Sequence, residues 1–191
     1  MRAAPANFTV EQLAAAVQLA HAKGVKVYLT CNTLPHNADL PQFLPYLREM
    51  AETGIDAVIV ADLGLLALIR KALPDLEIHM STQMGIVNYE TANALYDLGV
   101  KRVVLARELS LEEIAEIRAK TSADLELEAF VHGAMCMSIS GKCILSSFMT
   151  GRDSNRGGCA QICRWVFNED KTPFTMTPKD LNMIENIKEM I

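Results

Sequence analysis

One phrase recurs through the first 131 residues: a helical stretch, a glycine or proline turn, then a short apolar run with strand character. Few folds accept such a chain. Residues 9–23 have helix-forming composition, with Leu13, Val17 and Ala20 or His21 on one face. Thr9 and Gln12 stand at capping-box spacing, and Gly24 follows as a stop. The β-branched run at 25–30 then reads as a strand. The phrase returns as a helix over 39–52, Gly54 and a strand over 56–61. It returns again as a helix over 63–73, Pro74 with Asp75, and a strand over 77–81. A helix over 88–98 leads through Gly99 to a strand over 102–106. Ser110 and Glu113 form a second capping box, which opens a helix to about 120 ahead of a fifth strand at 125–131.

Strands that recur at this interval, each reached through a helix, are parallel and joined by right-handed crossovers. The strands read as continuous apolar runs, the pattern expected when both faces of a sheet are covered. An open doubly wound sheet and a (β/α)8 barrel both fit. Asn32, Asp62, Gln83, Arg107 with Glu108, and His132 all fall where strands end, the face on which barrels carry their sites, and so favour the barrel. Each alone reads more often as a cap or turn residue, and it is five in register that favour a mouth. A full barrel needs eight strands and ~250 residues, so five strands predict a partial (β/α)8 barrel with exposed edges that favour aggregation. The division that follows is β/α repeats over 1–131, a cysteine-rich segment over 132–165, and a C-terminal loop and truncated helix over 166–191.

The middle segment holds Cys136, Cys143, Cys159 and Cys163, four of the five cysteines, and five of the ten glycines. No window approaches the ~18–20 apolar residues of a membrane span, and the N-terminus lacks the apolar run of a signal peptide. A cytoplasmic location is the default expectation. There, reducing conditions turn a cysteine cluster toward metal binding or redox chemistry rather than structural disulfides. The spacing C-x6-C-x15-C-x3-C lacks the paired knuckles of most structural zinc sites, and only the last pair comes near them. Four thiolates on glycine-rich loops suit a 4Fe-4S cluster, with zinc as the alternative. Cys31 reads as a small core residue just after a strand, at the same face.

The net charge of −5 argues against general nucleic-acid binding. Within 132–164, however, Lys142, Arg152, Arg156 and Arg164 face Asp153 alone. Such a patch attracts phosphate or a carboxylate substrate, or else steadies nearby thiolates or faces solvent. There is no H-E-x-x-H and no G-x-S-x-G, so neither a zinc-protease helix nor a nucleophile elbow is present. His132, four residues before Cys136, reads either as a base beside a thiol or as an ordering residue at a strand end. His79 reads as a satisfied core or barrel-interior residue, His21 as a helix residue and His36 as a turn residue. His132, Arg107 and Glu108 are the candidates for catalysis.

The run EAFVHGAMCMSISGKC at 128–143 closely resembles the signature of peptidase family U32, collagenase-like proteins named for a presumed peptidase activity. Blocks RAAPANF at 2–8, CNTLPHN at 31–37, RELSLEEI at 107–114, GRDSNRGGCAQICRW at 151–165 and PKDL at 178–181 extend the resemblance over most of the chain. Proline at 178 stands where the family more often has serine. The resemblance implies an iron-sulfur protein with Cys136, Cys143, Cys159 and Cys163 as ligands. It also implies a branch that makes 5-hydroxyuridine at the wobble position of tRNA. The partners implied are tRNA, a prephenate-derived small molecule and a possible protein of the same family. Other branches hydroxylate ribosomal RNA or the ubiquinone ring, and a collagenase-like peptidase is the remaining alternative. Family members carry strands before the first block and a strand with an accessory domain after the last, so the chain reads as a central fragment.

Overall fold

A computed structural model describes residues 7–169 and 172–191. Most of the block at 2–8 lies outside the described residues. The chain alternates α1 (Val10–His21), β1 (Tyr28–Cys31), α2 (Leu40–Ala51), β2 (Ala57–Val60), α3 (Leu63–Ala72), β3 (Glu77–Met80), α4 (Tyr89–Asp97), β4 (Arg102–Val104), α5 (Leu111–Ala119) and β5 (Glu126–Glu128). Both predicted capping boxes form, Thr9 with Gln12 at the start of α1 and Ser110 with Glu113 at the start of α5. Reciprocal bonds of this kind satisfy amide groups that a helix start leaves unpaired.

The five strands make one parallel sheet in the order β1-β2-β3-β4-β5. Sequential order is that of a barrel segment, whereas a doubly wound sheet would reverse direction at a switch point. One face of the sheet meets the helices. There Val58, Val60, Ile78, Met80 and Val103 pack with Leu47 of α2, Leu65 and Ile69 of α3, and Ile117 of α5. Cys31 belongs to this core as its residue type suggested, but it is the last residue of β1 rather than the first beyond it.

The other face corrects the expectation of apolar strands. Alternation along the register places Tyr28, Glu77, His79, Arg102, Glu126 and Glu128 on the side away from that core. These groups satisfy one another. His79 Nε2 meets Glu77 Oε1 at 2.8 Å, and the His79 ring sits edge-on to Tyr28 at 4.6 Å between centroids. Arg102 binds Glu126 and Glu128 and lies 5.3 Å from the Tyr28 ring centroid. His79 is buried as predicted. The charged residues that interrupt the apolar runs are therefore a paired inner surface.

Beyond β5 the chain turns irregular. β6 (His132–Gly133) pairs antiparallel with β9 (Leu181–Asn182), and β7 (Phe167–Glu169) pairs with β8 (Thr172–Phe174) as a hairpin. Short α6 (Leu145–Thr150) lies between the cysteines, and α7 (Ile187–Met190) ends the chain. The C-terminal segment, expected as a loop and helix, thus also returns a strand to the start of the cysteine segment.

Candidate functional site

Asn32, Gln83 and Arg107, which follow β1, β3 and β4, line a cavity of about 350 Å3 at the strand ends. Thr30 and Phe130 also line it, together with Ser140 and Gly141 from the cysteine segment. The Arg107 guanidinium lies 4.0 Å from the Phe130 ring centroid, a stacked cation–π arrangement. Glu108 is exposed and accepts the Ser140 N–H at 3.1 Å, which ties the cysteine segment to the end of β4. Ser140 is buried and holds a left-handed φ of 52° beside Gly141 at 81°. Residues other than glycine seldom adopt this backbone, so the tie to Glu108 secures an unusual turn.

Two strand-end residues do different work. Asp62 caps α3 by accepting the Leu65 N–H at 2.9 Å. His132 is exposed in β6 and lines neither this cavity nor the cysteine cavity, and no side-chain hydrogen bond joins it to Cys136 among the described residues. Backbone pairing with Asn182 sets the place of His132 in β6. His36 does sit in a turn, where its N–H donates to Asp39 at 2.7 Å.

Cys136, Cys143, Cys159 and Cys163 all line one cavity of about 160 Å3, with Met137, Leu145 and Ile162 as apolar walls. The backbone N–H of Leu145 donates to Cys143 Sγ and that of Gln161 to Cys159 Sγ, each at 3.3 Å. Such bonds favour the thiolate and orient it toward a metal. Burial pushes the Cys163 thiol above its ordinary value, and the neighbouring Cys136 and Cys159 add to the rise. Three or four thiolates crowded together are costly unless a cation shares their charge. Among the described residues, no three His, Cys, Asp or Glu side chains converge as they would around a single ion. Four thiols that share one cavity are a donor set that an iron-sulfur cluster takes and that zinc also accepts. The donor set thus fits the group implied by the spacing.

Tight turns hold the cysteines in place. Gly158 N–H donates to Asp153 O at 2.8 Å, and a Cβ at Gly158 would lie 2.7 Å from that oxygen. Ser154 Oγ and Asn155 Nδ2 both donate to the Cys143 carbonyl. A third cavity of about 200 Å3 shares Asn32 and Gln83 with the strand-end cavity and Ser154 and Cys159 with the cysteine cavity. The two sites are therefore neighbours.

The four cations divide into two pairs. Arg156 binds Asp39 through two nitrogens at 2.5 and 2.9 Å and also donates to Leu34 O. Arg164 pairs with Asp180 at 3.0 Å. Lys142 and Arg152 are exposed and form no side-chain bond among the described residues. Sequence reasoning missed Ser140 and Phe130. A serine directly before glycine inside an irregular run was the available signal for the first, and none distinguished the second from core.

The pattern of peptidase family U32 matches residues 1–191. The chain belongs to peptidase family U32. A relative named tRNA hydroxylation protein P1 from Bacillus subtilis is 41% identical over 97% of this chain and 47% of its own length. The tRNA hydroxylation protein P of Escherichia coli is 46% identical over 85% of this chain and 36% of its own. The 23S rRNA 5-hydroxycytidine C2501 synthase of the same organism is 41% identical over 83% and 24%. The chain thus spans less than half the length of these U32 relatives. A solved U32 peptidase shares the fold with a TM-score of 0.57 and 21% identity over 70% of this chain and 57% of its own.

Proposed function

We propose that this chain is the cluster-bearing part of an RNA hydroxylase that makes 5-hydroxyuridine at the wobble position of tRNA. The observation that carries the reading is the shared cavity of Cys136, Cys143, Cys159 and Cys163 beside the polar strand-end cavity. Relatives named for hydroxylation of tRNA and of ribosomal RNA support it. The four cysteines would hold the iron-sulfur cluster. When bound, the cluster supplies one-electron chemistry. The chain's own residues do the rest: buried Ile162 and half-buried Leu145 wall the thiols on one side while Cys159 stays exposed, and the N–H donors at Cys143 and Cys159 set thiolate character. Lys142 and Arg152, exposed and without a side-chain partner among the described residues, would meet phosphate.

Anaerobic purification with visible absorption, iron, sulfide and zinc analysis tests the cluster. A brown protein that loses colour and iron on Cys159→Ser is expected, and a colourless zinc protein would overturn it. Mass spectrometry of tRNA from a deletion strain tests the substrate, where loss of 5-hydroxyuridine is expected and an unchanged nucleoside profile would defeat the reading. Protein cleavage that survives loss of iron but not Cys136→Ser would favour a peptidase instead.

A further inference from the structure

The four clustered thiols are not equivalent. Cys159 is exposed, whereas Cys136, Cys143 and Cys163 are half-buried. Of the four, only Cys159 lines the polar cavity of about 200 Å3 as well as the cysteine cavity. Its sulfur is held in place by the Gln161 N–H at 3.3 Å, and Gln161, with a left-handed φ of 55°, lines the polar cavity too. Asn32, Thr33 and Gln161 line that cavity with side chains that are not buried and form no hydrogen bond among the described residues. Two amides and a hydroxyl are thereby left to donate and accept. No charged residue lines the cavity among the described residues. An ion there would give up hydration without gaining a counter-charge, whereas a neutral molecule with hydroxyl or amide groups would find partners. The volume lies below the ~300–1,000 Å3 of drug-sized sites, which leaves room for a few heavy atoms.

We propose that the polar cavity binds a small neutral molecule bearing hydroxyl or amide groups, and that this molecule meets the cysteine group at Cys159 rather than at the other three thiols. Asn32, which also lines the strand-end cavity, places the site between that cavity and the sulfur. Gln161 is the positioning residue, since its N–H fixes Cys159 Sγ at the cavity wall. The meaning of the site rests on the cluster reading above, in which Cys159 marks the corner open to a small molecule. The accessibility of Cys159 and the uncharged lining stand without that reading.

Timed N-ethylmaleimide labelling of the purified chain, with initial rates read at each cysteine by peptide mass spectrometry, tests the assignment. Cys159 should react at least about 10-fold faster than Cys136, Cys143 or Cys163. Acetamide should slow labelling of Cys159 at concentrations where acetate, at matched ionic strength, does not. Asn32→Phe, which fills the cavity, should slow Cys159 by about 5-fold and leave Cys136 unchanged. First labelling at another of the four cysteines, or equal protection by acetate and acetamide, would overturn the proposal without relying on any variant. An unchanged Cys159 rate in an Asn32→Phe protein that melts like wild type would overturn it as well. Because labelling requires neither iron nor tRNA, a colourless zinc protein would defeat the cluster reading and leave the Cys159 site standing. A brown protein labelled first at a different cysteine would defeat only the site.

Discussion

Asp39 stands at the N-terminus of α2, yet its carboxylate makes no capping bond to that helix. It is taken instead by the Arg156 guanidinium and the His36 N–H. The Arg156 bonds, with the His36 amide second, hold the Asp39 carboxyl well below the usual carboxylate range. A carboxyl whose folded value is depressed contributes stability that is present above its unfolded value and fades as pH falls below it. The Asp39→Asn variant should therefore melt below wild type at neutral pH. The gap should narrow as pH drops below the ordinary aspartate value of 3.8, and thermal melts across that range check it. A gap that widened on acidification would contradict the assignment. Gly158 acts at the same scale through space alone: its position against Asp153 O leaves no room for a side chain.

Among the elements, α3 carries the packing argument most clearly. Ile69 is fully buried between the sheet and its neighbouring helices. Ile69→Ala should lower stability by about 2–5 kcal/mol, the range for a large core residue that leaves a cavity. Urea unfolding should show the lower midpoint with an unchanged slope. The α/β repeats were legible because each strand of the sheet is preceded by a helix with a clear apolar face and a turn signal. β1 starts three residues later than its β-branched run suggests, because Val25 and Lys26 are exposed and pairing begins beyond them. β6 with β9, and β7 with β8, were not legible, since strands of two or three residues carry no periodicity. Charges within β3, β4 and β5 were visible, but their mutual pairing across the inner face depends on register that only the assembled sheet supplies.

For the whole molecule, charge distribution matters more than net charge. Lys142 and Arg152 remain exposed while Arg156 and Arg164 are engaged by carboxylates, so only the first pair is free to meet a polyanion. If the proposed tRNA substrate is right, replacing Lys142 and Arg152 by Ala should weaken tRNA binding and reduce the slope of log affinity against log salt by about 1.5, at ~0.7–0.9 per phosphate contact. Binding measured by anisotropy at several salt concentrations checks both. The candidate site was legible to the extent that its thiols are clustered in sequence. Which cations are free was not, because Asp39 and Asp180 lie far from Arg156 and Arg164 along the chain or in a different segment. The Arg156 clamp has a kinetic meaning as well. It joins groups 117 residues apart, and Leu34 N–H to Asn155 O at 3.1 Å runs beside it. Contacts of such long range close late, after local helices and neighbouring strands have formed. The turn that carries Asn155 and Arg156 thus reaches its final place only once the first repeat has formed, so the cysteine segment docks on the sheet as a late step of folding.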